Sequence, residues 1–210
     1  MPGIERFDRR LHAAGGWWMR LPQEDFCQAR GLPPGRKYES DGGPGMQSIC
    51  EILQGSVAAE QDLRDFMSAQ ILFWMLAAPD GHAKNFSIQL LPQGQYRLTP
   101  LYDVISTWPV IGHGAGKLEW QKARLAMSVR GNSRHYRLHE IQRRHFNAMA
   151  VRCGLGADAE DLIQGLIERT AGVIDIVSRE LPKGFPDAVA GSILDKLYDA
   201  ALRLGEMPVK

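Results

Sequence analysis

Ala78-Pro79-Asp80-Gly81-His82-Ala83-Lys84-Asn85-Phe86-Ser87-Ile88, reading on to Leu98-Thr99-Pro100-Leu101-Tyr102-Asp103, is the stretch on which the fold turns. Upstream of it, Leu63, Phe66, Met67, Ile71, Trp74 and Met75 recur close to a helical period, and the second half is apolar nearly all round, so the spacing predicts a central buried helix over 62–78. Pro79 disfavours helical geometry at Ala78 and releases 80–85 as a loop. Phe86 to Leu91 and Tyr96 to Leu101 then alternate on either side of Pro92-Gln93-Gly94-Gln95, which predicts a β-hairpin that delivers Asp103 beyond its far end.

Asp80 and Asn85 have the D-x-x-x-x-N spacing of the protein-kinase catalytic loop, in which Asp takes the hydroxyl proton and Asn holds magnesium. Alone, that spacing equally describes a turn at Asp80-Gly81 capped by Asn85. The hairpin and Asp103 favour the catalytic reading, because Mg²⁺ takes hard oxygen ligands and needs only a few from protein. Asp103 also reads as a helix N-cap before Val104. Lys84 suits phosphate charge, and His82 suits bracing of the loop or of Asp80.

Outward from this core, Gly31 to Gly45 holds five Gly and three Pro and reads as a long ordered loop. Ile4 to Arg10 alternates partly like a strand. A second irregular stretch contains Gly112, Gly114 and Gly116 and reads as flexible loop. The remainder is expected to be helical, in segments 139–153, 158–181 and 186–204, with Val189, Ile193, Leu197 and Ala201 repeating every four residues in the last. The sequence thus predicts a mainly α chain with one small β-hairpin.

Length and composition suit an ordinary globular chain: 210 residues, 44% hydrophobic and 23% charged, with a formal net charge of +1 that gives no overall field for nucleic acid or membrane. The longest strongly apolar run, Ile71 to Ala78, is far too short to cross a bilayer, and 1–20 lacks a secretory apolar region, so a cytoplasmic protein is expected. Cys27, Cys50 and Cys153 fit a reducing compartment and no zinc framework. Six arginines between Arg130 and Arg152 face the single acid Glu140. They read either as a solvated basic face or as a helix meeting DNA phosphates. His135 and His139 lack partners for zinc, and Trp17, Trp18, Phe73 and Trp74 are expected to pack internally.

Asp80-Gly-His-Ala-Lys-Asn-Phe-Ser-Ile, Leu98-Thr-Pro-Leu-Tyr-Asp103-Val, Glu5-Arg-Phe-Asp-Arg, Leu21-Pro-Gln-Glu-Asp-Phe-Cys and Lys37-Tyr-Glu-Ser-Asp-Gly-Gly-Pro-Gly together resemble the HipA family of bacterial toxin kinases over nearly the whole chain. The resemblance implies a kinase-like C-terminal lobe (α+β) over 1–210, with a hinge strand at 1–10, the catalytic loop, hairpin and metal Asp at 79–103, and a helical subdomain at 138–204. It implies ATP and Mg²⁺ as cofactors: Asp80 catalytic, Asn85 and Asp103 on the metal, and Glu5, Phe7, His82, Lys84 and Tyr102 about the nucleotide. It further implies a HipB-like helix-turn-helix antitoxin, operator DNA reached through it, with Arg143, Arg144 and Arg152 as DNA-contact candidates, and serine phosphorylation of glutamyl-tRNA synthetase or a related target. Ala78-Pro79 departs from the family's Asn-Thr at that place, which alters the loop's path or is tolerated. The family's small lobe, with its phosphate-covering loop and lysine, has no counterpart before Met1. The chain is therefore expected to be nearly inactive unless a separate polypeptide supplies that lobe; the alternative is a silent lobe that only binds antitoxin or DNA.

Overall fold

The computed structural model describes residues 6–209. The chain opens with β1 (Arg9–Leu11) and β2 (Trp18–Arg20), an antiparallel ribbon, followed by β3 (Gln23–Asp25) and a single helical turn, α1 (Phe26–Ala29). After the glycine-rich loop come α2 (Met46–Leu53) and α3 (Ala59–Met75). The hairpin β4 (Ser87–Leu90) and β5 (Tyr96–Leu98) joins β3 in a three-stranded antiparallel sheet of order β3-β4-β5. A third sheet pairs β6 (Arg124–Arg130) with β7 (Arg134–Arg137), and the chain ends in α4 (Arg143–Cys153), α5 (Glu160–Glu180) and α6 (Asp187–Glu206).

The central buried helix is present, running over Ala59–Met75, three residues earlier at each end than the predicted 62–78. Phe66, Met67, Ile71, Phe73, Trp74 and Met75 of α3 are all buried, and the Trp74 indole donates to the Leu138 carbonyl at 2.9 Å. Asp62, buried in the same helix, accepts from the Ser56 hydroxyl and, at 2.8 Å, from the Leu98 amide, so one carboxylate ties α3 to β5. No helix of the described residues is long and apolar enough to cross a membrane.

Three expectations are corrected. The chain has more than the one predicted hairpin, because 124–137, outside the predicted helical segments, forms the β6–β7 ribbon: Leu125, Met127 and Val129 enter the core while Arg124 and Arg130 remain at its two ends outside it. Trp17 and Trp18 are 55% and 65% exposed on the β1–β2 ribbon, Trp17 stacked on His12 with centroids 4.6 Å apart, while Phe73 and Trp74 are core residues. The arginine run does not form one basic helix. Arg130, Arg134 and Arg137 sit on strands, and Arg143 is buried against Glu160 in a close ion pair, where it also reaches the Leu204 and Gly205 carbonyls. Desolvating both charges is favourable only because they meet each other, so Arg143 is a structural cation and not a surface contact for DNA. Arg144 and Arg152 are exposed, and Arg152 donates to the Gly131 carbonyl at 3.2 Å.

Candidate active site

The site begins with how α3 stops. Ala77 takes the left-handed conformation, with φ +47, and the amides of Ala77 and Ala78 turn back to the carbonyls of Trp74 (3.1 Å) and Phe73 (2.8 Å). That pair of bonds is a Schellman termination, with Pro79 immediately after it to prevent further helix. Ala78-Pro79 therefore fits this chain's loop path. The 106–108 segment straps the same helix end: the Ser106 hydroxyl donates to the Leu76 carbonyl at 2.6 Å, the Thr107 amide to that of Ala77 at 3.1 Å, and the Trp108 indole to that of Met75 at 2.9 Å.

From there the loop folds onto itself. The His82 amide donates to the Asp80 carbonyl at 2.8 Å and the Asn85 amide to that of His82 at 2.9 Å, forming a short 3₁₀ turn over Ala83–Asn85. Gly81 packs against Phe73 so closely that a Cβ there would collide with the ring. The Asn85 side-chain nitrogen donates to the Asp80 carbonyl at 2.8 Å and, 18 positions on in the sequence, to the Asp103 carboxylate at 3.3 Å, which links the three predicted residues. With the nitrogen so engaged, the Asn85 amide oxygen accepts no hydrogen bond among the described residues. Asp103 has φ +57, a region that Asp enters more readily than most residues and that marks a backbone held in place by its surroundings. An amide oxygen and a carboxylate are the hard donors that Mg²⁺ prefers, so this pair fits that ion.

Asp80 itself is exposed. The Tyr38 phenol, from the glycine-rich loop, donates to Asp80 Oδ1 at 3.0 Å, and that loop is pinned to the site by the Ala83 amide donating to the Lys37 carbonyl at 3.2 Å. His82 is buried with Nε2 3.7 Å from Asp80 Oδ1, too long for a hydrogen bond, and Nδ1 has no partner. Burial, partly offset by Asp80, pushes the imidazole below the usual histidine range, which favours the neutral ring. It packs edge-on to Tyr38 with centroids 5.1 Å apart, so His82 braces the loop by packing while Tyr38 holds the acid. Sequence reasoning missed Tyr38; the only local signal was the long ordered glycine-rich loop around it.

Lys84 is engaged elsewhere. Its ammonium lies 3.0 Å from Asp25, whose carboxylate also caps α1 by accepting the Gln28 amide at 2.9 Å. Tyr102 donates to the Lys84 carbonyl at 2.9 Å and pairs with the Ser87 hydroxyl, and burial raises its phenol above the ordinary range. Phe7 lies beside Tyr102, ring centroids 5.8 Å apart and tilted by 31°, a two-ring apolar wall next to the loop. Glu5 lies outside the described residues. After Phe7, Asp8 is clamped by Arg6 through paired 2.8 Å bonds and by Arg9 at 2.6 Å; the Arg6 bonds hold its carboxyl below the usual carboxylate range.

A helix-terminated loop bearing an acid and an amide, a hairpin, and a second acid returned beside that amide form a kinase-like lobe. The chain belongs to the HipA-like C-terminal domain family, which matches residues 2–174. Among its relatives, the putative kinase Y4mE of Sinorhizobium fredii is 42% identical over 105 residues, 50% of this chain and 24% of that protein. The serine/threonine-protein kinase toxin HipA of Shewanella oneidensis is 32% identical over 118 residues, 49% of this chain and 26% of the relative. The matched stretch thus spans about a quarter of either relative. Among solved structures, Shewanella oneidensis HipA in complex with HipB and operator DNA superposes with a TM-score of 0.74 at 22% identity, covering 95% of this chain and 47% of that one.

Proposed function

We propose that this chain is the catalytic lobe of a HipA-like serine/threonine protein kinase. The observation that carries the reading is the Asn85 amide, which bonds both the Asp80 backbone carbonyl and the Asp103 carboxylate and so ties the loop bearing the proposed base to the proposed metal donors. In the transfer, the acceptor oxygen bonds to the γ-phosphorus of ATP as the bond to ADP breaks, and the acceptor proton passes to Asp80. Asn85 and Asp103 would hold Mg²⁺, which when bound neutralises phosphate charge. Phe7 and Tyr102 offer the adenine ring an apolar flank, and Glu5 and the buried His82 complete the neighbourhood the family resemblance implies, with Lys84 drawn from Asp25 toward phosphate.

The described residues approach the phosphates from one side. Efficient transfer needs them held from both, so residues 6–209 by themselves should bind nucleotide weakly and transfer little. By analogy with the HipA structure solved with HipB and operator DNA, a HipB-like antitoxin is the proposed partner, with operator DNA reached through it and Arg144 and Arg152 as the exposed cations available. The acceptor is proposed to be a serine of a cytoplasmic protein such as an aminoacyl-tRNA synthetase, consistent with the free thiols of Cys27, Cys50 and Cys153. Titration calorimetry with MgATP tests the site. Wild type should bind weakly and Asp103→Ala at least about tenfold more weakly, since even losing an outer partner of a metal ligand costs that much; identical heats from the two proteins would remove Asp103 from the metal.

A further inference from the structure

Beside Asp80 lies a hollow of about 390 Å³ bounded by Tyr38, Ser40, Pro79, Asp80, Arg124 and Tyr136. Neither Asn85 nor Asp103 lines it, so it is distinct from the metal donors. Tyr38 binds one Asp80 oxygen at 3.0 Å, which leaves the other carboxylate oxygen for a proton donor entering the hollow. The nearby cations are not equivalent. Lys84 is paired with Asp25, and the Lys37 ammonium sits over the Tyr38 ring, 5.0 Å from its centroid. The Arg124 guanidinium, at the exposed end of β6 where the strand pairs with Arg137, makes no ion pair or side-chain hydrogen bond among the described residues. It shares its strand face with Ala126, while Leu125 and Met127 between and beyond them are in the core. A hydroxyl that receives a phosphoryl group becomes a dianionic ester with three acceptor oxygens, and a guanidinium is the side chain best shaped to meet it.

Resting on the kinase reading above, we propose that this hollow receives the acceptor hydroxyl of a polypeptide and then its phosphate ester, with Tyr38 positioning Asp80 and Arg124 supplying the cation for the phosphate. The hollow thus holds the phosphorylated product more tightly than the unmodified segment.

The probe is a fluorescein-labelled nonapeptide carrying one phosphoserine, and its serine twin, titrated with the 210-residue chain by anisotropy without nucleotide. The phosphopeptide should bind about tenfold tighter, and Arg124→Glu should abolish the difference while Arg124→Lys keeps part of it. Arg30, Arg130 and Arg134 line a separate cleft of about 780 Å³, so Arg130→Glu serves as a control and should retain the preference. Thermal unfolding of Arg124→Glu should match wild type, since the side chain is exposed. Tyr38→Phe, which deletes the bond to Asp80 and keeps the ring, should leave phosphopeptide affinity within twofold; in MgATP-dependent phosphorylation of the acceptor peptide it should lower kcat with little change in KM. Equal affinities for the two peptides in wild type, a preference that survives Arg124→Glu, or a Tyr38→Phe kcat equal to wild type would overturn the proposal. Failure of the kinase reading is separately visible: a phosphopeptide preference with no MgATP heat leaves the anion site standing and removes the nucleotide.

Discussion

Gly81 is required for a steric reason, since its φ is not in the left-handed region and the need is for space. In Gly81→Ala the new Cβ would stand 3.6 Å from Phe73 Cγ and far inside contact distance of Cδ2 and Cε2. Carbon atoms pack at about 3.5–4.0 Å, so either the ring retreats by roughly an ångström or the loop lifts by as much. Phe73 has little room to retreat, being 1% exposed with its ring 5.5 Å from that of Phe86, which is itself packed edge-on against Phe66 at 5.0 Å. Overpacking of a close-packed core costs about 1–3 kcal/mol, and in a chain of this size each kcal/mol lowers the melting temperature by roughly 2–4 °C. The displaced loop carries Asp80 and His82 on either side of residue 81, so MgATP affinity should fall along with stability. Equilibrium urea unfolding of Gly81→Ala, Phe73→Leu and the double variant is the assay. The smaller Leu gives the methyl group somewhere to go, so the two penalties should fall short of additivity by about 0.5–2 kcal/mol. A Gly81→Ala protein within about 0.5 kcal/mol of wild type, or strict additivity, would refute the collision argument.

Arg143→Ala should destabilise the chain by about 2–3 kcal/mol, below the range for breaking a fully buried pair because the Glu160 side chain is 26% exposed. The Arg143 bonds hold the Glu160 carboxyl below the usual carboxylate range, so the pair stabilises above that range and the penalty should shrink as pH falls through it; a penalty constant from pH 7 to pH 2 in urea melts would contradict the pairing. His145, which accepts the Gln142 amide at the start of α4 and stacks on His135 at 3.9 Å, is pushed down to about 4 chiefly by burial, with His135 and Arg144 adding repulsion. The unfolded chain therefore takes up a proton first, and stability should decline from about pH 6.5 toward pH 4 by up to roughly 3 kcal/mol, a slope that His145→Gln should remove. An unchanged slope in that variant would assign the acid sensitivity to other groups.

The helix, loop and hairpin at 59–98 were legible because every signal was local: a 3.6-residue period, a proline stop, and a Gly-containing turn between alternating runs. Asp80, Asn85 and Asp103 followed from their order along that scaffold. The β6–β7 ribbon was not legible, since Leu125 through Val129 are buried without a break and show no alternation of apolar and polar residues. Its anchor is distant as well: Glu39 accepts the Ser128 amide at 2.6 Å across 89 residues. Lys84 and Asp25 are 59 residues apart, and Tyr38 and Asp80 are 42 apart, so neither the diversion of the lysine nor the support of the acid has a local trace. Arg143 looked like surface charge because Glu160, which neutralises it, lies beyond the run of arginines in which it was counted.

The strap of Ser106, Thr107 and Trp108 across the end of α3 makes that helix terminus a common datum for both halves of the site. Asp80 leaves from one side of it, and Asp103 is fixed three residues before the strap begins. The gap between base and metal donor is therefore gauged against a single rigid part, as the jaws of a caliper are against one beam. A change that unwinds the last turn of α3 therefore alters that gauge directly.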